Sequence, residues 1–346
     1  MKDTTQDENP APPTILVGMD AHSEKISLCI TRWRLGSDPE VLKEPSTTLD
    51  ALETTYAKQV PRGSLTVLEA STNAFSIARR LKAIGQDVKV LTSDAVSGRA
   101  RSDRINDRID ARNLAMAYAR GGTRTVHLPD TQHQQWRDLF FGRRNAVKDS
   151  VRDSNRVWAF CSGHGLKLPH KSFRRKAEAV RADLAEHGWT QDESYHIDTL
   201  LIEYEHHLTL RIRYEKRIEH IVAQTPEMTH LLQLPGVRFV VAFALVAFIE
   251  DVHRFKNPKK LVSYIGLNPT VCRSGESEGP RGLSTHGRHD LKSLMVEAAQ
   301  SALRSRDSEL AKWARRKLAA GKPYNLVICA VARKLVTHVW HILMGH

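Results

Sequence analysis

The spacing of apolar and polar positions changes character along the chain and divides it into three stretches. From residue 14 to about 125, short apolar runs alternate with amphipathic ones. Residues 14–20 (TILVGMD) are one compact apolar run, and residues 25–31 (KISLCIT) put Ile26, Leu28 and Ile30 on one face at the two-residue period of a strand. The polar residues between them predict a hairpin. Leu65–Glu69 (LTVLE) and residues 88–92 (VKVLT) predict two more strands. Residues 72–84 predict a helix that stops at Gly85, and residues 106–119 another, with Ile109, Leu114 and Met116 apolar. This is an α/β pattern, and the opening hairpin argues for a mixed rather than a wholly parallel sheet.

From about 126 to 225 the strand signal fades. Residues 131–160 are helical and dense in arginine. Residues 197–222 carry Ile197, Leu201, Tyr204 and Leu208, then Leu210, Tyr214, Ile218 and Ile221, in helical stripes. A helical hairpin is predicted, either a coiled-coil arm or two bundle helices, with SGHGLKLPHKSFRR as the loop between. Residues 226–346 predict a mostly helical domain. Its LPGV turn at 234–237 precedes the apolar helix RFVVAFALVAFI, like half of a helix-hairpin-helix element whose turn offers N–H groups to phosphates. Helices follow at 257–265, 288–304 and 325–343. Residues 266–283, rich in Gly, Ser, Arg and Pro, predict a long functional loop in that helical frame. Residues 1–13 are polar and proline-rich and read as a disordered tail without the apolar segment of a secretory signal.

Composition narrows the function. Of 346 residues, 41% are hydrophobic and 26% charged, a globular balance. Lys and Arg exceed Asp and Glu by 13, which points to a polyanionic partner, nucleic acid or an anionic membrane surface. No uninterrupted apolar run reaches the length of a membrane span, so no membrane partner is expected. Cys29, Cys161, Cys272 and Cys329 form no CxxC pair, so neither a disulfide framework nor a cysteine zinc site is expected, and a cytoplasmic, reducing setting fits.

The carboxylates carry the candidate chemistry. Asp20 ends the first strand and Glu69 the third, and neighbouring strands of a mixed sheet bring such ends together. Asp107 and Asp110 share one helix face, which Asp103 joins if the helix starts early. Singly, each reads as a turn residue or a solvated helix charge. Jointly they make a hard, oxygen-rich site suited to Mg²⁺, of the kind that flanks a phosphodiester in nucleases and polymerases. Arg99, Arg101, Arg104, Arg108, Arg112 and Arg120 surround that helix, and Arg137, Arg143, Arg144, Lys148, Arg152 and Arg156 follow in the next, a candidate phosphate track. Trp136, Phe140, Phe141 and Trp158 lie among them, as core residues first and base-stacking surfaces second.

The strings ILVGMDAHSEK, VLEASTNAF and NDRIDARNLA resemble the RuvC-like half of the DEDD transposases of insertion-sequence family one hundred and ten and its sister group eleven hundred and eleven. LLQLPGVRFVVAFALVAFIEDVHRFKNPKKLVSYIGLNP and RSGESEGPRGLSTHGRHDLKSLMVEAA resemble that family's C-terminal transposase domain. The resemblance covers nearly the whole chain and implies an RNase H-like (RuvC-like) domain over 14–125, a helical coiled-coil arm over 126–225 and a C-terminal transposase domain over 226–346. It implies a tetrad of Asp20, Glu69, Asp107 and Asp110 holding Mg²⁺, without Asp103. The nucleophile it implies is the serine before a glycine past the GLNP box, here Ser274, with Ser277 and Ser284 as neighbours. The relatives are recombinases guided by an element-encoded bridge RNA that pairs with donor and target DNA. They act as homo-oligomers, so a dimer or a dimer of dimers is expected, working cytoplasmically on nucleoid DNA. Arg104, Arg108, Arg112, Arg143, Arg144, Arg273 and Arg281 are the candidate nucleic-acid contacts, and His286 and His289 are read as phosphate contacts or caps rather than metal ligands. The alternatives are a RuvC-like structure-specific nuclease acting by metal-assisted hydrolysis, and a non-catalytic nucleic-acid binder.

Overall fold

A computed structural model describes residues 15–22, 24–34, 38–92, 107–121, 123–168, 177–185, 187–274, 277–283 and 287–345; at 107, 108, 177–179, 183 and 270–283 it describes the backbone alone. In chain order the elements are β1 (Ile15–Ala21), β2 (Ile26–Arg32), β3 (Glu40–Lys43), β4 (Ser46–Thr47), α1 (Leu52–Gln59), β5 (Leu65–Glu69), α2 (Ala74–Ala83), β6 (Asp87–Leu91), α3 (Asp107–Ala119), β7 (Thr125–Val126), α4 (Thr131–Gly163), α5 (Ala177–Ala185), α6 (Gln191–Gln224), α7 (Pro226–Leu231), α8 (Phe239–Ile249), α9 (Pro258–Ile265), β8 (Pro269–Ser274), β9 (Ser277–Leu283), α10 (His289–Ala302), α11 (Glu309–Ala319) and α12 (Tyr324–Leu343). They form two units, Met1–Pro129 and Asp130–His346.

The first unit is a mixed sheet in the order β3-β2-β1-β5-β6-β7, with β4 also pairing β2. β1 and β2 are the expected antiparallel hairpin, while β1–β5 and β5–β6 are parallel. Side chains alternate across the sheet, so each strand feeds two layers. Val17, Met19, Leu68, Val88 and Val90 pack on one face with Tyr56 of α1 and Ile77, Ala78 and Leu81 of α2. Leu16, Leu65, Val67 and Leu91 pack on the other with Leu114 and Ala115 of α3. Gly18 lies on that second face. A Cβ there would stand 1.9 Å from the Ala111 carbonyl oxygen and 3.0 Å from the Ala115 Cβ, so only glycine lets α3 seat on β1.

In the second unit α4 and α6, each about 50 Å long at 1.5 Å per residue, run antiparallel. Gly142 lies under the Tyr214 ring, Asp153 meets His207, and Arg156 meets Glu203. Asp153 is fully buried and bonds His207 Nδ1 at 2.6 Å, a polar pair that favours one helix register over its neighbours. Phe140, Ile218 and Ile221 at one end of the pair join the core around α8, which is buried from Val241 to Ile249. Val157, Cys161, Leu184, Ile197 and Leu201 form a separate cluster at the other end.

A buried helix end leaves carbonyls that need donors. Here Arg137 donates to the carbonyls of Ala247 (2.8 Å) and Phe248, while Arg254 and the Tyr264 hydroxyl also reach Phe248. Arg137, expected in the phosphate track, is therefore a buried helix-capping residue. Trp136, Phe140 and Phe141 pack into the core with Phe243 and Phe248. Helix α12 is long and apolar enough to cross a membrane by composition, but Val327, Val331, Leu335 and Val339 are buried in this same core.

One sequence expectation fails. The long loop foreseen at 266–283 contains a two-stranded ribbon, β8–β9. Gly279, Pro280 and Gly282 hid the strand, because a ribbon made only of edges tolerates a proline that a central strand would not. Helix α11, capped by Ser308, was not foreseen at all.

Gly18→Ala should destabilise the full chain by about 3 kcal/mol, the upper end for overpacking at a site where backbone must move. The check is the urea midpoint, and a wild-type midpoint would contradict the close approach.

Candidate active site

The parallel register of β1 and β5 pairs Met19 with Leu68, which sets the next residues, Asp20 and Glu69, side by side at the strand ends. Both belong to the face that α3 covers. Asp110 precedes Ala111, the residue whose carbonyl lies against Gly18, so the acidic first turns of α3 lie at the same edge of the sheet. The electrostatics agree with this placement. Burial first, then the charges of Asp20 and Asp110, push the Glu69 carboxyl above its usual range. Asp20 Oδ2 is also 3.1 Å from His22 Nε2. Asp107 opens α3 one turn before Asp110, and its side chain lies outside the described residues, as do Asp103, Arg104 and the side chain of Arg108.

Arg112 donates from Nε to Glu44 at 3.0 Å, and the same carboxylate oxygen faces the Cys29 thiol. Burial and Glu44 push that thiol up to about 11, so Cys29 stays protonated and is no nucleophile.

Among the described residues, one group brings three potential metal-ligand atoms within 4.8 Å of one another, and it lies in the second unit: Asp130, His133 and Glu250. Each is already engaged. Asp130 caps α4 by accepting from the His133 backbone N–H at 2.8 Å and meets His133 Nδ1 at 2.8 Å, while Glu250 accepts from the Asp130 N–H and pairs with buried Arg137. This is the junction of α4 with the end of α8, where Glu250 takes a left-handed φ of 60°. The charges of Asp20 and Asp110 bear on Glu69, but these three carboxylates do not meet that ligand spacing.

The candidate serine sits at the far end of the ribbon. Ser274 pairs with Ser277 in the last rung, Arg273 pairs with Glu278, and Arg281 lies on β9. Five residues of strand separate Ser274 from Pro269, a reach of about 17 Å. The ribbon's root is fixed: a Cβ on Gly287 would lie 2.6 Å from the Gly266 Cα, and the Arg288 N–H donates to the Tyr264 carbonyl at 2.9 Å. The chain thus leaves and re-enters the helical body at one glycine–glycine contact, which explains the glycine of the YIGLNP box. Ser284 and His286 lie outside the described residues, and His289 opens α10. Arg143 pairs with Glu215 and Arg144 with Asp290. Gly18, Gly142, Gly266 and Gly287 set these approaches, and reading the sequence for side-chain chemistry passed over all four.

The chain is similar in sequence to known proteins. Residues 228–314 match the family model described as Transposase IS116/IS110/IS902 family. The chain is 24% identical over 282 residues to the transposase for insertion sequence element IS1111A of Coxiella burnetii, covering 80% of this chain and 77% of that protein. It is 25% identical over 288 residues to the transposase for insertion sequence element IS1328 of Yersinia enterocolitica, covering 80% and 82%. A pilin gene-inverting protein of Moraxella bovis is 29% identical over 128 residues, 36% of this chain and 40% of that one. Residues 228–314 thus match the IS116/IS110/IS902 transposase family, and about four-fifths of the chain is similar to insertion-sequence transposases.

Proposed function

We propose that this transposase is an RNA-guided DNA recombinase in which Asp20, Glu69, Asp107 and Asp110 of a RuvC-like, RNase H-like domain hold Mg²⁺ and Ser274 attacks the DNA. The observation that supports the reading is the parallel register that sets Asp20 beside Glu69 at the ends of β1 and β5, with α3, which carries Asp110, seated against Gly18 of β1. Like charges so placed disfavour ionisation unless a cation compensates them, and an all-oxygen set suits a hard ion. When bound there, Mg²⁺ supplies charge compensation at a phosphate.

Ser274 does the covalent work. Its Oγ forms a bond to phosphorus, the bridging P–O bond of the DNA strand breaks, the serine proton leaves, and the departing strand oxygen takes up a proton. The phosphoserine–DNA ester keeps the free energy of the broken linkage, so a hydroxyl of a new strand can reverse the step without ATP. Ser274 at the end of a 17 Å ribbon suits delivery to an acidic site on another protomer of a dimer or dimer of dimers. Arg273 and Arg281 would hold the phosphate, and Arg104, Arg108, Arg112, Arg143 and Arg144 would track nucleic acid. The guiding bridge RNA rests on the family resemblance, to which the basic surplus of 13 adds support.

Ser274→Ala should abolish the covalent protein–DNA adduct and recombination while nucleic-acid binding persists, measured by adduct retention on denaturing gels with Mg²⁺. Adduct in that variant would move the nucleophile to Ser277 or Ser284; wild-type cutting without any adduct would favour the nuclease.

The metal set has its own test. The folded Glu69 pKa lies above the ordinary 4.5, so the folded chain holds that proton longer than the unfolded one. This contribution to stability is complete below the unfolded value and is lost as pH rises through the folded value. Near neutral pH, Mg²⁺ at a hundredfold excess over its dissociation constant should therefore raise the unfolding free energy by about 2.7 kcal/mol. Glu69→Gln should raise the metal-free Tm and remove the Mg²⁺ increment. An undiminished increment in that variant would reject the assignment.

A further inference from the structure

Beyond the ribbon's root the chain enters α10, which forms one wall of a cleft of about 460 Å³ against α4 and α6. That is the size of a small-ligand site. Its lining includes Arg143, Arg144 and Lys148 of α4, Arg211 of α6 and His289 of α10. The guanidiniums are held by shared carboxylates. Glu215 Oε1 takes Arg143 Nε and Nη2 at 3.0 and 2.7 Å and Arg211 Nε at 3.0 Å. Asp290 takes Arg144 at one oxygen and Arg288 at the other, both at 2.8 Å. Burial opposes ionisation of Glu215, yet Arg143 and Arg211 hold its carboxyl below the usual range, so it stays an anion that anchors both forks.

One carboxylate for two guanidiniums leaves a cation in surplus at each anchor. Lys148 is exposed and pairs with no carboxylate among the described residues, and the Arg144 Nε, shielded from solvent, has no hydrogen-bond partner there. Five cations, Arg143, Arg144, Lys148, Arg211 and Arg288, thus face three carboxylates, Glu215, Asp290 and Glu297. Pre-fixed guanidinium forks with open N–H edges match phosphate oxygens at little entropic cost. Gly142 beneath the Tyr214 ring lets α4 and α6 approach beside Arg143 and Glu215, which builds the anchor.

We propose that this cleft binds the phosphodiester backbone of the DNA strand that Ser274 attacks, at phosphates several nucleotides from the reacting one, with Arg143, Arg211 and Lys148 as the contacting cations. The inference rests on the serine reading for the identity of the strand. DNA is favoured because α10 starts at the ribbon's root, so a backbone held here has a fixed relation to the base of the ribbon that carries Ser274.

The test is the salt dependence of binding of a short DNA duplex to the full chain, with a duplex RNA of the same sequence in parallel. Lys148→Gln, at an exposed position, should keep the wild-type Tm and lower the slope of log affinity against log salt by about 0.9, the value for one phosphate contact. Arg143→Lys keeps the charge but loses the fork, so it should leave the slope and weaken binding about tenfold. An unchanged slope in Lys148→Gln overturns the proposal, and so does an equal loss on RNA, which would make the cleft an RNA site. A lowered slope on DNA alone, in a protein that forms no serine adduct, keeps the cleft as a DNA site and rejects the serine reading.

Discussion

The seating of α3 on β1 is the contact on which the acidic site depends. The Ala111 carbonyl lies where any side chain at residue 18 would be, and Ala115 closes the same gap. That approach fixes Asp110 over the ends of β1 and β5, where the parallel register has already placed Asp20 beside Glu69. The packing has an electrostatic consequence. Burial and the two neighbouring charges both penalise an ionised Glu69, so the packing of α3 on β1 bears on the charge state of this edge.

The second unit applies the same device to the serine. Two glycines in contact, Gly266 and Gly287, fix the root of a ribbon that is otherwise two edge strands, and Tyr264 between them and α8 caps the buried end of the central helix. Ser274 lies at the far end of that ribbon, in its last paired rung. Arg137, Arg254 and Tyr264 all serve the end of α8, which shows how a basic sequence divides its cations: some are consumed inside as donors to orphaned carbonyls, and those that share carboxylates near α10 retain donors for a ligand.

Much of this was legible in the sequence. The strand Leu65–Glu69 and the opening hairpin follow from short apolar and alternating runs, α4 and α6 from long helical stretches, and α8 from its unbroken apolar run after the LPGV turn. The convergence of Asp20, Glu69 and Asp110 was also legible, because each sits at an element's end and the ends of neighbouring strands meet. The ribbon was not, since Gly279, Pro280 and Gly282 carry no strand propensity. Nor could a stripe of arginines reveal that Arg137 is buried: its place on α4 differs from that of Arg143 only through what α8 presents to it. The short strands β3, β4 and β7 lack the length for any periodic signal.

The acidic edge rests on the charges of Asp20 and Asp110 bearing on Glu69. Carbon-13 NMR titration of the Glu69 carboxyl in the full chain tests it most directly. The expected midpoint lies above the ordinary glutamate range and falls when Asp20 or Asp110 becomes the neutral amide. A Glu69 that titrates ordinarily, indifferent to both substitutions, would contradict it.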